Sequence, residues 1–187
     1  RQRMAMLFQG GALFDSMTVG ENVAFPMRAM GERDDDRIAA AVRERLRQVG
    51  LPDTEDKMPS ELSGGMKKRA ALARSIACRP ELILYDEPTT GLDPITSDAI
   101  ADLINSTHEL LREIDVTTIA VTHDMRVASK VGNRIIMLYG GRVVGDGTPE
   151  LYRRLGSSAL PSGILESEMM IRQFVLGEAD GPIRTIE

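Results

Sequence analysis

Three short apolar runs punctuate a chain that is otherwise helical in its periodicity. They are Met4-Ala-Met-Leu-Phe8, Leu82-Ile-Leu-Tyr85 and Val116-Thr-Thr-Ile-Ala-Val121. Runs of this length and apolarity predict strands buried on both faces of a parallel sheet, and the β-branched residues of the third reinforce that reading. Between them, Ile38, Val42, Leu46 and Val49 recur at helical spacing after Asp34-Asp-Asp36, with Gly50 as the stop. Residues 12–26 are densely apolar without a single period, which predicts a loop with a short helix; Thr18 and Glu21 have the spacing of a capping box. Residues 67–78 predict a helix capped by Ser63. A long helix is expected from Pro94 to about Arg112, with Ile95, Ala99, Leu103, Leu110 and Leu111 as its apolar positions. Further on, two strands flanking Gly140-Gly141 read as a hairpin, and Thr148-Pro149 as a helix start. Residues 156–163 read as linker, 164–176 as a tail helix ending at Gly177, and 178–187 as extended chain. Strands alternating with helices place the chain in the α/β class.

Each predicted parallel strand ends in polar side chains. The first runs into Gln9, the second into Asp86-Glu87 with Pro88 as a stop, the third into Thr122-His123-Asp124. The carboxyl edge of such a sheet is where α/β folds bind ligands. Of two adjacent acids there, one can hold Mg²⁺ while the other orients or deprotonates a water. An Asp-Glu pair by itself serves equally well as a solvated strand end. Leu62-Ser-Gly-Gly-Met66 opens the basic helix, whose residues 66–79 carry Lys67, Lys68, Arg69, Arg74 and Arg79 and no acid. A capped N-terminus with two glycines offers free N–H groups to an anion, so phosphate binding is expected there, against a merely solvated basic face. His123 at a strand end can bond a phosphate oxygen, whereas His108 is expected on a helix surface.

Composition narrows the class. The 187 residues carry a formal net charge of −5, with no Trp, three Tyr and four Phe, so neither a broad nucleic-acid surface nor a base-stacking platform is expected. The single Cys78 forms no internal disulfide and is expected to be a small buried hydrophobe. No apolar run reaches transmembrane length. The start at Arg1 reads as a cut in a longer protein.

Taken in order, Gln9, Leu62-Ser-Gly-Gly-Met66, Tyr85-Asp-Glu-Pro88, Gly91-Leu-Asp-Pro94 and Thr122-His-Asp124 resemble the motif series of the ATP-binding cassette (ABC) ATPases over nearly the whole chain. The resemblance implies a RecA-like P-loop NTPase core, a mostly parallel sheet flanked by helices, with an inserted α-helical subdomain and an N-terminal truncation. Residues 1–12 would then end the first part of the core, 13–62 form the helical subdomain, 63–157 complete the core, and 158–187 form linker and tail helix. It also implies ATP and Mg²⁺ as ligands. Gln9 matches the Q-loop glutamine that senses Mg²⁺, Asp86 the Walker B aspartate on the metal, Glu87 the catalytic base, and His123 the switch histidine. Leu62, Ser63, Gly64, Gly65 and Met66 match the signature that meets the γ-phosphate held by the opposite subunit; Asp93 matches the D-loop at the dimer interface.

Two departures stand out. The signature ends in Met66 where the widespread form has Gln; Ser63 and the glycines make the phosphate contacts, so little loss is expected. More seriously, none of the lysines (Lys57, Lys67, Lys68, Lys130) follows a glycine, so the Gly-Lys-Ser/Thr of a P-loop is absent and is expected upstream of Arg1. Positions 9 to 62 leave no room for the coiled coil of chromosome-maintenance or DNA-repair relatives, and Thr90-Gly-Leu-Asp93 is unlike the Asn-His-Leu-Asp of translation-factor relatives, which leaves transport as the main class. Residues 8–26, Leu62–Met66, Ile171-Arg-Gln-Phe174 and Ala179-Asp-Gly-Pro182 are similar to the ATPases of MCE-type (Mla-like) phospholipid transport systems. That similarity implies a homodimer on the cytoplasmic face of the inner membrane. It would work with an integral-membrane permease, an MCE substrate-binding protein and a STAS-domain partner, without nucleic acid. Service to another importer or exporter, or a regulatory module that binds nucleotide without turnover, are the competing readings.

Overall fold

The computed structural model describes residues 3–157 and 163–184, and the chain divides into two units, Arg1–His123 and Asp124–Glu187. In the first, strands β1 (Met4–Leu7), β2 (Leu82–Asp86) and β3 (Thr117–Val121) form one parallel sheet in the order β1-β2-β3. Helices α1 (Val19–Ala29), α2 (Asp35–Gln48), α3 (Gly64–Ile76) and α4 (Pro94–Leu110) lie between the strands in sequence. All three strands run the same way, with Leu7 beside Tyr85 and Asp86 beside Val121. Their polar tips therefore share one edge.

Local chemistry starts each helix. Thr18 and Glu21 close the expected capping box on α1, Asp34 caps α2, and Ser63 caps α3 by accepting from the Met66 amide. Ile38, Val42 and Leu46 are buried on α2 and Val49 follows at its end, as their spacing predicts. The loop with a short helix expected over residues 12–26 forms: the chain is a loop up to the Thr18 cap and helical from Val19, and α1 continues through Pro26 to Ala29. Asn22 makes this possible. Fully buried, it accepts from the Phe14 amide and donates to the carbonyls of Phe14, Met17 and Thr18, so one amide satisfies the loop's backbone.

Two expectations about burial are corrected. Ile83 and Tyr85 are buried, and α3 packs along β1, but the sheet's other face is open: Met4 is 51% exposed, Ile119 53% and Val121 60%. Register puts these residues with Leu82 and Leu84 on one face. On α4 the buried residues are Ser97, Ile100, Ala101, Ile104 and Thr107, while Ile95 is 83% exposed. The expected stripe through Ile95 and Ala99 is thus rotated, because Asp93 caps the helix and Pro94-Ile95 form its solvent-facing first turn. His108 is exposed, as expected, and Cys78 is half-buried.

In the second unit, α5 (Met125–Val131) precedes a hairpin of β4 (Ile135–Tyr139) and β5 (Arg142–Gly147), then α6 (Pro149–Leu155) and α7 (Glu166–Leu176). Gly140 and Gly141 both have positive φ (55° and 73°), the geometry of a type I′ turn, which explains why two glycines sit there. Ile135, Met137, Tyr152, Leu155 and Ile171 form its core. Gly177 caps α7 in the left-handed conformation. The following segment is not free extended chain: buried Gln173 bonds the Glu178 carbonyl and both backbone groups of Ile183, folding it back on α7. Most of the expected linker, residues 158–162, and the last three residues lie outside the described set.

Candidate functional site

Glu87 follows β2 directly, and its amide donates to the carbonyl of Val121 on β3 at 2.9 Å. That bond turns the chain out of the sheet with φ +48°, a left-handed conformation that costs a non-glycine residue about 1 kcal/mol or more. Both carboxylate oxygens are engaged: Oε1 lies 2.8 Å from His123 Nδ1, and Oε2 accepts from Thr90 Oγ at 2.8 Å. Burial pushes the Glu87 carboxyl up, but hydrogen bonds from His123 and Thr90 outweigh it and hold the group below its ordinary value. Such a carboxylate stays ionised and oriented, the state in which it can accept a proton from water.

Asp86 is the last residue of β2 and partly exposed; Gln9 emerges at the same edge two positions beyond Leu7. Among the described residues no group of three or more His, Cys, Asp or Glu is gathered that could cage a metal. A partly exposed strand-end carboxylate is a donor of the kind Mg²⁺ takes, an ion that keeps waters and shares its shell with substrate phosphates.

The signature residues lie elsewhere in this unit. Leu62 is buried, Ser63 and Gly64 are exposed, and Gly65 and Met66 are intermediate. Asp93 stands beside them: its Oδ1 accepts from the Ile95 and Thr96 amides at 3.0 Å and its Oδ2 from Thr96 Oγ. The Thr96 bond and then the amides hold the Asp93 carboxyl below its usual range. Gly65 faces Thr96 so closely that an added Cβ would lie 2.9 Å from its methyl, and Gly64 faces Leu92. The structure therefore brings Glu87 and His123 into contact, puts Gln9 and Asp86 on the same sheet edge, and seats Ser63–Gly65 against the Leu92–Thr96 turn.

The basic side chains that follow the Ser63 cap are mostly engaged within the protein. Four of the five cations bind the protein rather than standing free for an anion. Lys68 donates to the carbonyls of Thr90 and Glu87, Arg69 to Gly50, Arg74 to Gly11 and Ala12, and Arg79 pairs with Glu113. Thr90, Lys68 and Arg74 were not singled out as positioning groups by the motif series. Their partners lie 3, 22 and 63 residues away, and only the Thr90 contact, at helical-turn distance from Glu87, had a local signal.

The described site is thus a parallel sheet with an acid–imidazole pair at its carboxyl edge, together with a glycine-flanked serine that opens a helix. The ABC transporter family model matches residues 1–90. It is 40% identical over 185 residues to the intermembrane phospholipid transport system ATP-binding protein MlaF of Haemophilus influenzae, covering 98% of this chain and 64% of that protein. It is 38% identical over 183 residues to a Mycobacterium leprae protein named probable ribonucleotide transport ATP-binding protein mkl, covering 98% of this chain and 49% of that one. Among solved structures it resembles the ATP-binding cassette MJ0796, in a dimeric post-hydrolysis state with ADP and Pi. The TM-score is 0.68 and identity 33%, over 79% of this chain and 63% of the other. The chain thus spans about half to two thirds of the length of these relatives.

Proposed function

We propose that the chain is part of the ATP-hydrolysing subunit of an ABC transporter that moves phospholipid. The observation that carries the proposal is the Glu87–His123 pair, 2.8 Å apart at the carboxyl edge of the parallel sheet. In this reading Glu87 orients a water and takes its proton, while His123 fixes the carboxylate and faces the terminal phosphate. Asp86 and Gln9 are the residues that would hold Mg²⁺, which when bound neutralises charge on the phosphate oxygens. Ser63, Gly64 and Gly65 of one copy would meet the phosphate held by a second copy, with Asp93 at the seam. Rate comes from positioning and electrostatics rather than covalent chemistry. Residues 1–187 contain no Gly-Lys-Ser/Thr, so this stretch alone is expected neither to bind ATP tightly nor to turn it over.

The permease would dock beside α1. A groove of about 610 Å³ lies there, lined by apolar Ala24, Phe25, Ile38 and Val42 and by acidic Glu21 and Asp35. Phe14 and Phe25 pack 4.8 Å apart at the surface nearby. The site would then lie on the cytoplasmic face of the inner membrane, with the MCE and STAS proteins as further partners; among the described residues no helix is long and apolar enough to cross a membrane. The kinship with MlaF favours phospholipid, and the mycobacterial relative's name makes ribonucleotide the competing cargo. The test reconstitutes the complete polypeptide with its permease in proteoliposomes. ATP-dependent phospholipid movement supports the proposal; ribonucleotide movement without lipid movement would replace the cargo.

A further inference from the structure

Lys68 is 6% exposed, an unusual place for an ammonium group. Its Nζ donates to the Thr90 carbonyl at 2.7 Å and to the Glu87 carbonyl at 3.4 Å. These two carbonyls bracket the turn that carries the catalytic candidate away from β2. Apart from the Thr90 hydroxyl on the Glu87 carboxylate and the Glu87 amide on the Val121 carbonyl, the turn's own backbone bonds are long, Thr90 amide to Glu87 carbonyl at 3.3 Å and Leu92 amide to Thr89 carbonyl at 3.2 Å. Glu87 meanwhile sits at φ +48°, which persists only where surrounding contacts over-determine it. Burial lowers the Lys68 pKa, and the neighbouring Glu87 charge only partly offsets this. An apolar side chain would fill this slot without that desolvation penalty, so stability alone gives little reason for a lysine.

Lys68 also stands five residues after Ser63 on α3, within the same rigid helix. We propose that Lys68 is a positioning residue: its ammonium clamps the Glu87–Thr90 turn to the helix that begins at Ser63, so the base carboxylate and the phosphate-facing serine move as one body. This rests on the ATPase reading above. It adds that the two half-sites served by a single chain, one through Glu87 and one through Ser63, are linked mechanically through one side chain.

The experiment compares the complete ATPase polypeptide with its Lys68→Met and Lys68→Gln variants. It reads steady-state ATP turnover, thermal midpoint, and hydrogen exchange at the Thr90 and Leu92 amides. Lys68→Met keeps the apolar stem and removes the donors; Lys68→Gln keeps a donor. The clamp predicts that Lys68→Met lowers kcat about tenfold or more with KM for ATP within about twofold. Exchange at Thr90 and Leu92 should accelerate, and Lys68→Gln should recover most of both effects. Turnover by Lys68→Met within about twofold of the parent overturns the proposal. So do equal losses in both variants that track a falling midpoint, the mark of a purely structural role. If Lys68→Met does not fold, Lys68→Gln is read alone, and parental exchange at both amides together with full loss of turnover overturns the clamp. A parent protein without ATP turnover defeats the ATPase reading instead, and the exchange rates still decide whether the clamp exists.

Discussion

His123 Nδ1 lies 2.8 Å from Glu87 Oε1, joining residues 36 positions apart. The contact exists because β2 and β3 are parallel and in register, so Asp86 and Val121 end level, and Glu87, one residue past β2, meets His123, two past β3. Thr90 takes the other carboxylate oxygen. Together they define the direction in which Glu87 can accept a proton.

The lowered Glu87 pKa has a sign that can be checked. A carboxylate depressed on folding contributes stability above its unfolded value and loses it as pH falls through the folded one. Thr90→Val removes one of the two bonds that lower it, so the folded pKa should rise toward the ordinary 4.5. Urea midpoints followed from about pH 6 down to about pH 3 should therefore fall less steeply in Thr90→Val than in the parent, after normalising at the upper end. Parallel profiles would mean that Thr90 does not stabilise the charge.

Gly65 is tested by volume. Alanine at a helical position ordinarily gains about 1 kcal/mol over glycine. Here a Cβ would lie 2.9 Å from the Thr96 methyl, and overpacking of that kind costs about 1–3 kcal/mol. Gly65→Ala should therefore destabilise or break even rather than stabilise. Adding Thr96→Ser, which removes the methyl and keeps the hydroxyl that bonds Asp93, should restore the gain. Chemical denaturation of the two single variants and the double variant measures the coupling.

Arg74 donates to the Ala12 carbonyl at 2.7 Å and the Gly11 carbonyl at 2.8 Å, and lies 5.7 Å from the Phe14 ring centre. Gly11 and Ala12 both have positive φ, so this guanidinium holds the strained turn after Gln9. Arg74→Met should cost about 2–4 kcal/mol, the sum expected for two charge-assisted bonds left unmade. Arg74→Lys should recover only part, since a single ammonium does not reproduce the fork. Thermal unfolding of both variants gives the comparison.

Tyr85 offers the opposite sign. Its ring is buried and its hydroxyl has no hydrogen-bond partner among the described residues, while burial raises its pKa strongly. Tyr85→Phe removes an unsatisfied polar atom at nearly constant volume. Stability should stay level or rise by about 1 kcal/mol; a loss of that size would reveal a partner for the hydroxyl.

Much of this was legible in the chain because it is local. Thr18, Ser63, Thr148 and Gly177 cap helices through neighbours three to five residues away, and each cap formed where its residue type predicts. The strand ends carrying Asp86 and His123 were legible too, because strand direction follows from α/β alternation. Long-range choices were not legible. Nothing near Lys68 or Arg74 says that their charges turn inward to carbonyls of residues 90 and 11 rather than outward to a ligand. The buried face of α4 was not legible either: the helix starts at Pro94 as expected, but packing buries Ile100 and Ile104 and leaves Ile95 and Ala99 in solvent. The open face of Met4, Ile119 and Val121 is equally non-local, since a run of apolar residues states a preference for burial without naming what covers it.

The most direct test is steady-state ATP turnover by the complete polypeptide, with and without the single substitution Glu87→Gln, at matched protein and Mg²⁺–ATP concentrations. Turnover should fall about 10²- to 10⁴-fold while ATP is still bound, because the amide keeps the shape of the carboxylate but cannot take the proton. Equal turnover by the two proteins would contradict the assignment of Glu87 as the base and, with it, the reading of this sheet edge as a hydrolytic site.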